Sequence, residues 1–160
     1  MKVLLVSLAI ACATLGAFAA EGPSAVTVDR KSEQKIVTGP EKNFTGRAQI
    51  AGLFARPEPS RLTGAIVTFD PGARTAWHTH PAGQTLVVTR GMGLVQQWGG
   101  PRQEIREGDV VWIPPGVKHW HGASPAGPMS HFAVVQSLNG SAVTWLEQVT
   151  DRQYRSGKTQ

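Results

Sequence analysis

The chain has 160 residues, enough for one domain with a single core. Its formal charge is +5, but the cations are scattered singly (Arg47, Arg56, Arg61, Arg90, Arg106) rather than interleaved with aromatic residues, which argues against a nucleic-acid partner. Cys12 is the one cysteine, so the sequence offers neither a disulfide framework nor a thiolate centre.

Met1-Lys2 is a short basic start, and Val3 to Phe18 is apolar or small throughout. The run ends in Ala17-Phe18-Ala19, the small-x-small form of a cleavage site. Residues 1–19 therefore read as a secretory signal peptide, which implies a periplasmic or secreted protein. A lipoprotein box around Cys12 is a minor alternative, because Ala9 stands where leucine is usual. No second apolar run is long enough to span a bilayer once the signal is removed. Residues 20–43 are polar and aperiodic and read as an arm that pairs with a neighbouring subunit.

From Phe44 onward, short runs rich in Val, Ile, Thr and Trp alternate with turn signals. The strands expected are Gln49–Phe54, Leu62–Phe69, Arg74–His80, Gln84–Arg90, Gly93–Trp98, Gln103–Arg106, Val110–Ile113, Lys118–Gly122, His131–Gln136 and Val143–Leu146. "DPG", "RGMG", "GGP", "EGD", "PPG" and "NG" separate them. This is an all-β domain over residues 44–155, a sandwich or barrel, with a short helix over Glu147–Arg155 and a tail at 156–160.

All five histidines fall into one pattern. His78 and His80 lie two residues apart on a strand and share a face, as do His119 and His121. His131 lies on a later strand, on the face of Met129, Ala133 and Val135. Imidazoles converging from separate strands suit Mn, Fe, Co, Ni, Cu or Zn. The tryptophans, including Trp77 and Trp120 beside the paired histidines, read as packing residues facing away from that cluster. Arg74 reads as a surface residue, with binding of an anionic substrate as the alternative.

The spacing is Gly72, five residues, His78, one, His80, three, Gln84, six, Gly91; then Gly108, five, Pro114, one, Gly116, two, His119. These blocks resemble the paired motifs of the cupin superfamily, with Gln84 where a glutamate is usual and Ala123 where an asparagine often stands. The resemblance implies a single-domain double-stranded β-helix, a jelly-roll barrel with a metal in its mouth. "PGARTAWHTHPAGQTLVVT" and "GDVVWIPPGVKHWHGA" are similar to a small bacterial branch that includes manganese-dependent hydroxynitrile lyases. Carried over by position, His78, His80, Gln84 and His119 would hold the metal. Thr75, His121 and His131 would be the catalytic groups, and Ala65, Val67 and Val135 would form the pocket wall. Val135 departs from that branch, which carries a glutamine there, and so does the export signal.

The resemblance thus implies a metal-dependent carbon–carbon lyase acting on a small molecule, a homo-oligomer with manganese, while Fe, Ni, Zn or Cu stay open. A cupin dioxygenase and a non-catalytic periplasmic metal- or ligand-binding cupin are the alternatives. A neutral glutamine in place of glutamate leaves the centre one unit more positive, which favours Lewis-acid chemistry over redox cycling.

Overall fold

The computed structural model describes residues 25–159, so the expected signal peptide lies outside the described residues. Twelve strands form a curled antiparallel sheet. In chain order they are β1 (Val37–Thr38), β2 (Phe44–Thr45), β3 (Ala48–Ala55), β4 (Leu62–Phe69), β5 (Arg74–Thr75) and β6 (His78–Thr79). The rest are β7 (Gln84–Gln97), β8 (Arg102–Arg106), β9 (Val110–Ile113), β10 (His119–Ala123), β11 (Met129–Gln136) and β12 (Thr144–Trp145), before the helix α1 (Asp151–Ser156). The strand order is β1-β3-β4-β11-β7-β10-β5-β2. Among the described residues no helix is long and apolar enough to cross a membrane.

Period-two alternation sets the register. Along β4, Ala65, Val67 and Phe69 turn inward, while Ile66 is 41% exposed. They face His131 and Ala133 across the ladder, with Val67 opposite His131 and Ala65 opposite Ala133. Inside, Phe44, Phe69, Val88, Val95, Ile105 and Met129 close the core. A second cluster of Trp77, Leu94, Trp120, Val149 and Tyr154 packs behind β10. Burying about 200 Å² on each indole, at about 25 cal/mol/Å², contributes roughly 5 kcal/mol per tryptophan before entropy.

Three expectations are corrected. "RGMG" is not a turn: β7 runs unbroken for 14 residues, pairing with β11 and β9 in its first half and with β10 and β8 in its second. Gly91 makes the passage possible, with a φ of 75° and the Pro128 carbonyl 2.2 Å from where a Cβ would stand. Arg74–His80 is two short strands rather than one, because the Ala76 and Trp77 amides turn to the carbonyls of Asn43 and Glu147. The helix is shorter than expected: it starts at Asp151, where Thr150 and Gln153 form a capping box. Within the described arm, Val37 and Thr38 also pair with Ile50 and Gln49 of the same chain.

Candidate metal centre and adjoining cavity

Strands β6 and β10 bring the first two imidazoles together. His78 and His119 are direct ladder partners, so their side chains leave the sheet on one face, with ring centroids 4.2 Å apart. His80, just after β6, completes the group, 5.1 Å from the His78 ring and 5.6 Å from the His119 ring. One nitrogen from each of the three falls within 4.8 Å of the others. That is little more than twice a metal–imidazole bond of about 2.1 Å, so the trio fits a single ion.

Each ring is held by its own backbone contact. Nδ1–H donates to the carbonyl of Ala76 from His78 (2.9 Å), of Ala142 from His80 (2.6 Å) and of Val117 from His119 (2.8 Å). This fixes the tautomer and leaves Nε2 with its lone pair. The buried His80 Nε2 has no hydrogen-bond partner. His119 Nε2 stands 3.0 Å from Gln84 Oε1. With Nδ1 protonated, both of these atoms present lone pairs. The contact is reconciled by a cation that both face, or by rotation of the carboxamide so that its NH2 donates. Gln84 thus lies where it can serve as a fourth ligand. The set of three neutral imidazoles and one amide oxygen suits a divalent transition ion.

Burial keeps all the rings neutral. Desolvation pushes His78 well below its ordinary value, and His119 and His80 add to the effect by charge repulsion. Desolvation likewise lowers His80, and it brings His119 down to about 4. Neutral imidazoles are the form a metal takes up.

His121 and His131 form a second pair. His121 Nδ1 and His131 Nε2 are 3.1 Å apart, one nitrogen carrying the shared proton. Desolvation again leads, lowering His131 to about 4 and His121 well below its ordinary value, the latter helped by the charge on His131. His121 Nε2 and His131 Nδ1 are buried without a partner among the described residues. Thr75 Oγ accepts the His121 backbone N–H at 3.2 Å, which leaves its hydroxyl proton available to donate.

These groups line a cavity of about 290 Å³. Its polar edge is His78, His80, Gln84, His121, His131 and Thr75; the remaining wall is mostly apolar and includes Ala65, Val67, Val135, Phe69 and Trp145. Among the described residues, no Lys, Arg, Asp or Glu lines it. Every residue expected from the sequence to serve the site lines this cavity except His119, which stands behind Gln84. Among the contributors missed, Trp145 packs tilted against His78 with centroids 4.8 Å apart, and the Ala142 carbonyl fixes His80. Both come from the segment after β11, and nothing in the sequence announces that β12 pairs with β6. Arg74, expected at the surface, is instead 4% exposed; its guanidinium donates to the Val149 carbonyl and to Asp151 on the far side of the sheet from the cavity.

Comparison with known proteins places this geometry. The family model described as "Cupin domain" matches residues 65–135. An (R)-mandelonitrile lyase from Granulicella tundricola is 55% identical over 128 residues, covering 80% of this chain and 98% of the relative. A cupin-like protein from Thermotoga maritima superposes with a TM-score of 0.70 at 39% identity, over 76% of this chain and 92% of that one. A cupin-2 domain from Rhodospirillum rubrum does so with a TM-score of 0.63 at 12% identity, over 84% and 95% of the two chains, a likeness of fold alone.

Proposed function

Since the chain belongs to the cupin family, we propose that it is a metal-dependent hydroxynitrile lyase, cleaving a cyanohydrin to a carbonyl compound and hydrogen cyanide, and forming it in reverse. The observation that carries this reading is the buried, unpartnered His121 Nε2. It sits in an uncharged cavity beside three imidazoles arranged for one ion. The named activity of the relative supports the choice of reaction. His78, His80, His119 and Gln84 would hold the ion, with manganese as the first candidate. When bound, it supplies Lewis acidity toward the substrate oxygen.

The chain's own groups then divide the work. With the shared proton on His121 Nδ1, His121 Nε2 carries a free lone pair and accepts the cyanohydrin hydroxyl proton. His131 Nε2 accepts from Nδ1 and steadies the charge that appears on the ring. Thr75 donates its hydroxyl to the substrate oxygen. The C–CN bond breaks, its electron pair leaves with cyanide, the carbonyl forms, and the proton on His121 passes to cyanide. Ala65, Val67 and Val135 enclose the substituent and exclude water. The protein is proposed to work outside the cytoplasm, as an assembly of identical chains, following the signal-like first residues and the likeness to its branch.

Mandelonitrile cleavage, followed as benzaldehyde release with metal content measured on the same sample, tests the proposal. His121→Ala should keep the ion and lose activity by about 100-fold or more. An active His121→Ala variant, or a metal-replete wild type that releases no benzaldehyde, refutes it.

A further inference from the structure

We infer that Gln96 and Arg74 are positioning residues through which the C-terminal segment fixes the imidazoles of β10. The part of the inference that concerns turnover rests on the proposed lyase reading.

On β10 the rings of His119 and His121 face inward, and Trp120 between them points out of the other face. Its indole N–H donates to Gln96 Oε1 at 3.0 Å, and Gln96 is its direct ladder partner on β7. The Gln96 NH2 donates to Gly100 O at 2.9 Å and to Gly157 O at 2.6 Å. This amide is fully buried, and both of its donors are used. Gly157 is the residue that ends α1, with a left-handed φ of 67°. The residue between the two imidazoles is therefore tied, through one side chain, to the end of the chain.

A second tie lies one strand away. Arg74 alternates with Thr75 on β5, and Gly122, next to His121, is its ladder partner. The guanidinium donates to Val149 O at 3.1 and 2.8 Å and to Asp151 at 2.7 Å, and lies 4.7 Å over the Tyr154 ring. Tyr154 Oη in turn donates to Ala123 O on β10 at 2.8 Å. The front of the same pair of strands carries the Thr75–His121 contact.

An apolar cover over Trp77 and Trp120 would need neither group. Burying a carboxamide or a guanidinium is unfavourable unless its hydrogen bonds are made in full, and then it fixes geometry more sharply than apolar packing does. Both polar anchors stand directly behind the strands that hold the chemistry.

The test compares wild type with Gln96→Leu and Arg74→Lys. Imidazole nitrogen NMR is recorded on the full, metal-free chain, and mandelonitrile turnover on the metal-loaded one. Gln96→Leu should shift the ring signals of His119 and His121, and Arg74→Lys those of His121. His80, tied to Ala142 away from this network, should stay at its wild-type position in both. kcat should fall about tenfold at unchanged KM, the scale of losing an outer partner of a ligand. A lowered melting temperature with every ring signal in place overturns the inference, and so does a uniform shift of all five rings. If wild type cleaves no cyanohydrin, the lyase reading falls and the NMR comparison alone decides this one. If Gln96→Leu fails to fold, Arg74→Lys, which keeps the charge, carries the test.

Discussion

Acidification of the metal-free chain should destabilise it already between pH 7 and pH 5, before most carboxylates titrate. His119 and His131 sit at about 4 in the folded state, against an ordinary value of 6.5. A folded-state value lowered in this way means that the unfolded chain binds the proton first. The stability is therefore fully present above about pH 6.5 and is lost as pH falls toward 4. Between pH 7 and pH 5 each ring costs about 2 kcal/mol by this linkage. The two together cost about 4 kcal/mol, against a total stability of typically 5–15. His78, His80 and His121 are displaced in the same direction and add to the loss. Glu147 and Asp151 do not confuse the window. Hydrogen bonds from Lys118 and Arg74 respectively hold them below their ordinary values, so both stay ionised down to pH 5. Urea unfolding of chelator-treated protein, followed by tryptophan fluorescence, measures the effect. A midpoint at pH 5 equal to that at pH 7 refutes the burial argument for the whole cluster. In His131→Gln the pH 7 to pH 5 loss should shrink by about 2 kcal/mol.

Other outcomes follow from the same geometry. A divalent ion at 100 times its dissociation constant should stabilise the chain by about 2.7 kcal/mol, and His80→Ala should abolish most of that gain in a thermal-shift titration. Gln84→Glu should keep the ion but make the centre less positive, lowering both its reduction potential by voltammetry and its cyanohydrin cleavage; an unchanged potential counts against the charge reasoning. Gly122→Ala would put a Cβ 2.4 Å from Ala73 O, forcing β5 from β10; a loss of about 1–3 kcal/mol in denaturant unfolding is expected, together with weakened catalysis through Thr75 and His121.

The part of this protein legible in the sequence is the part written in local periodicity. His78 and His80, or Ala65 and Val67, share a face because strands alternate, and no tertiary knowledge is needed to say so. The glycine and proline punctuation located most strands within a residue or two. It misled at Gly91, where the residue that reads as a turn instead lets a single strand pass close to the Pro128 carbonyl, two residues from a register shift opposite Ser130 and His131. Long-range pairing stayed hidden. Arg74 looked like a solvated cation because its partners, Val149 and Asp151, lie some 75 positions along the chain. Trp145 looked like an ordinary core residue because its place against His78 depends on β12 meeting β6. The arm gave no periodic signal; of its described residues, one two-residue strand, Val37–Thr38, pairs with the sheet.

The carbonyl tethers on His78, His80 and His119 are made by the chain's own backbone, and each leaves the ring's Nε2 free for an ion. Ring orientation is thus set by the backbone rather than by any one ion's preference. The identity of the occupant should follow whatever its surroundings provide, and stripping followed by reconstitution should exchange one transition ion for another without loss of shape.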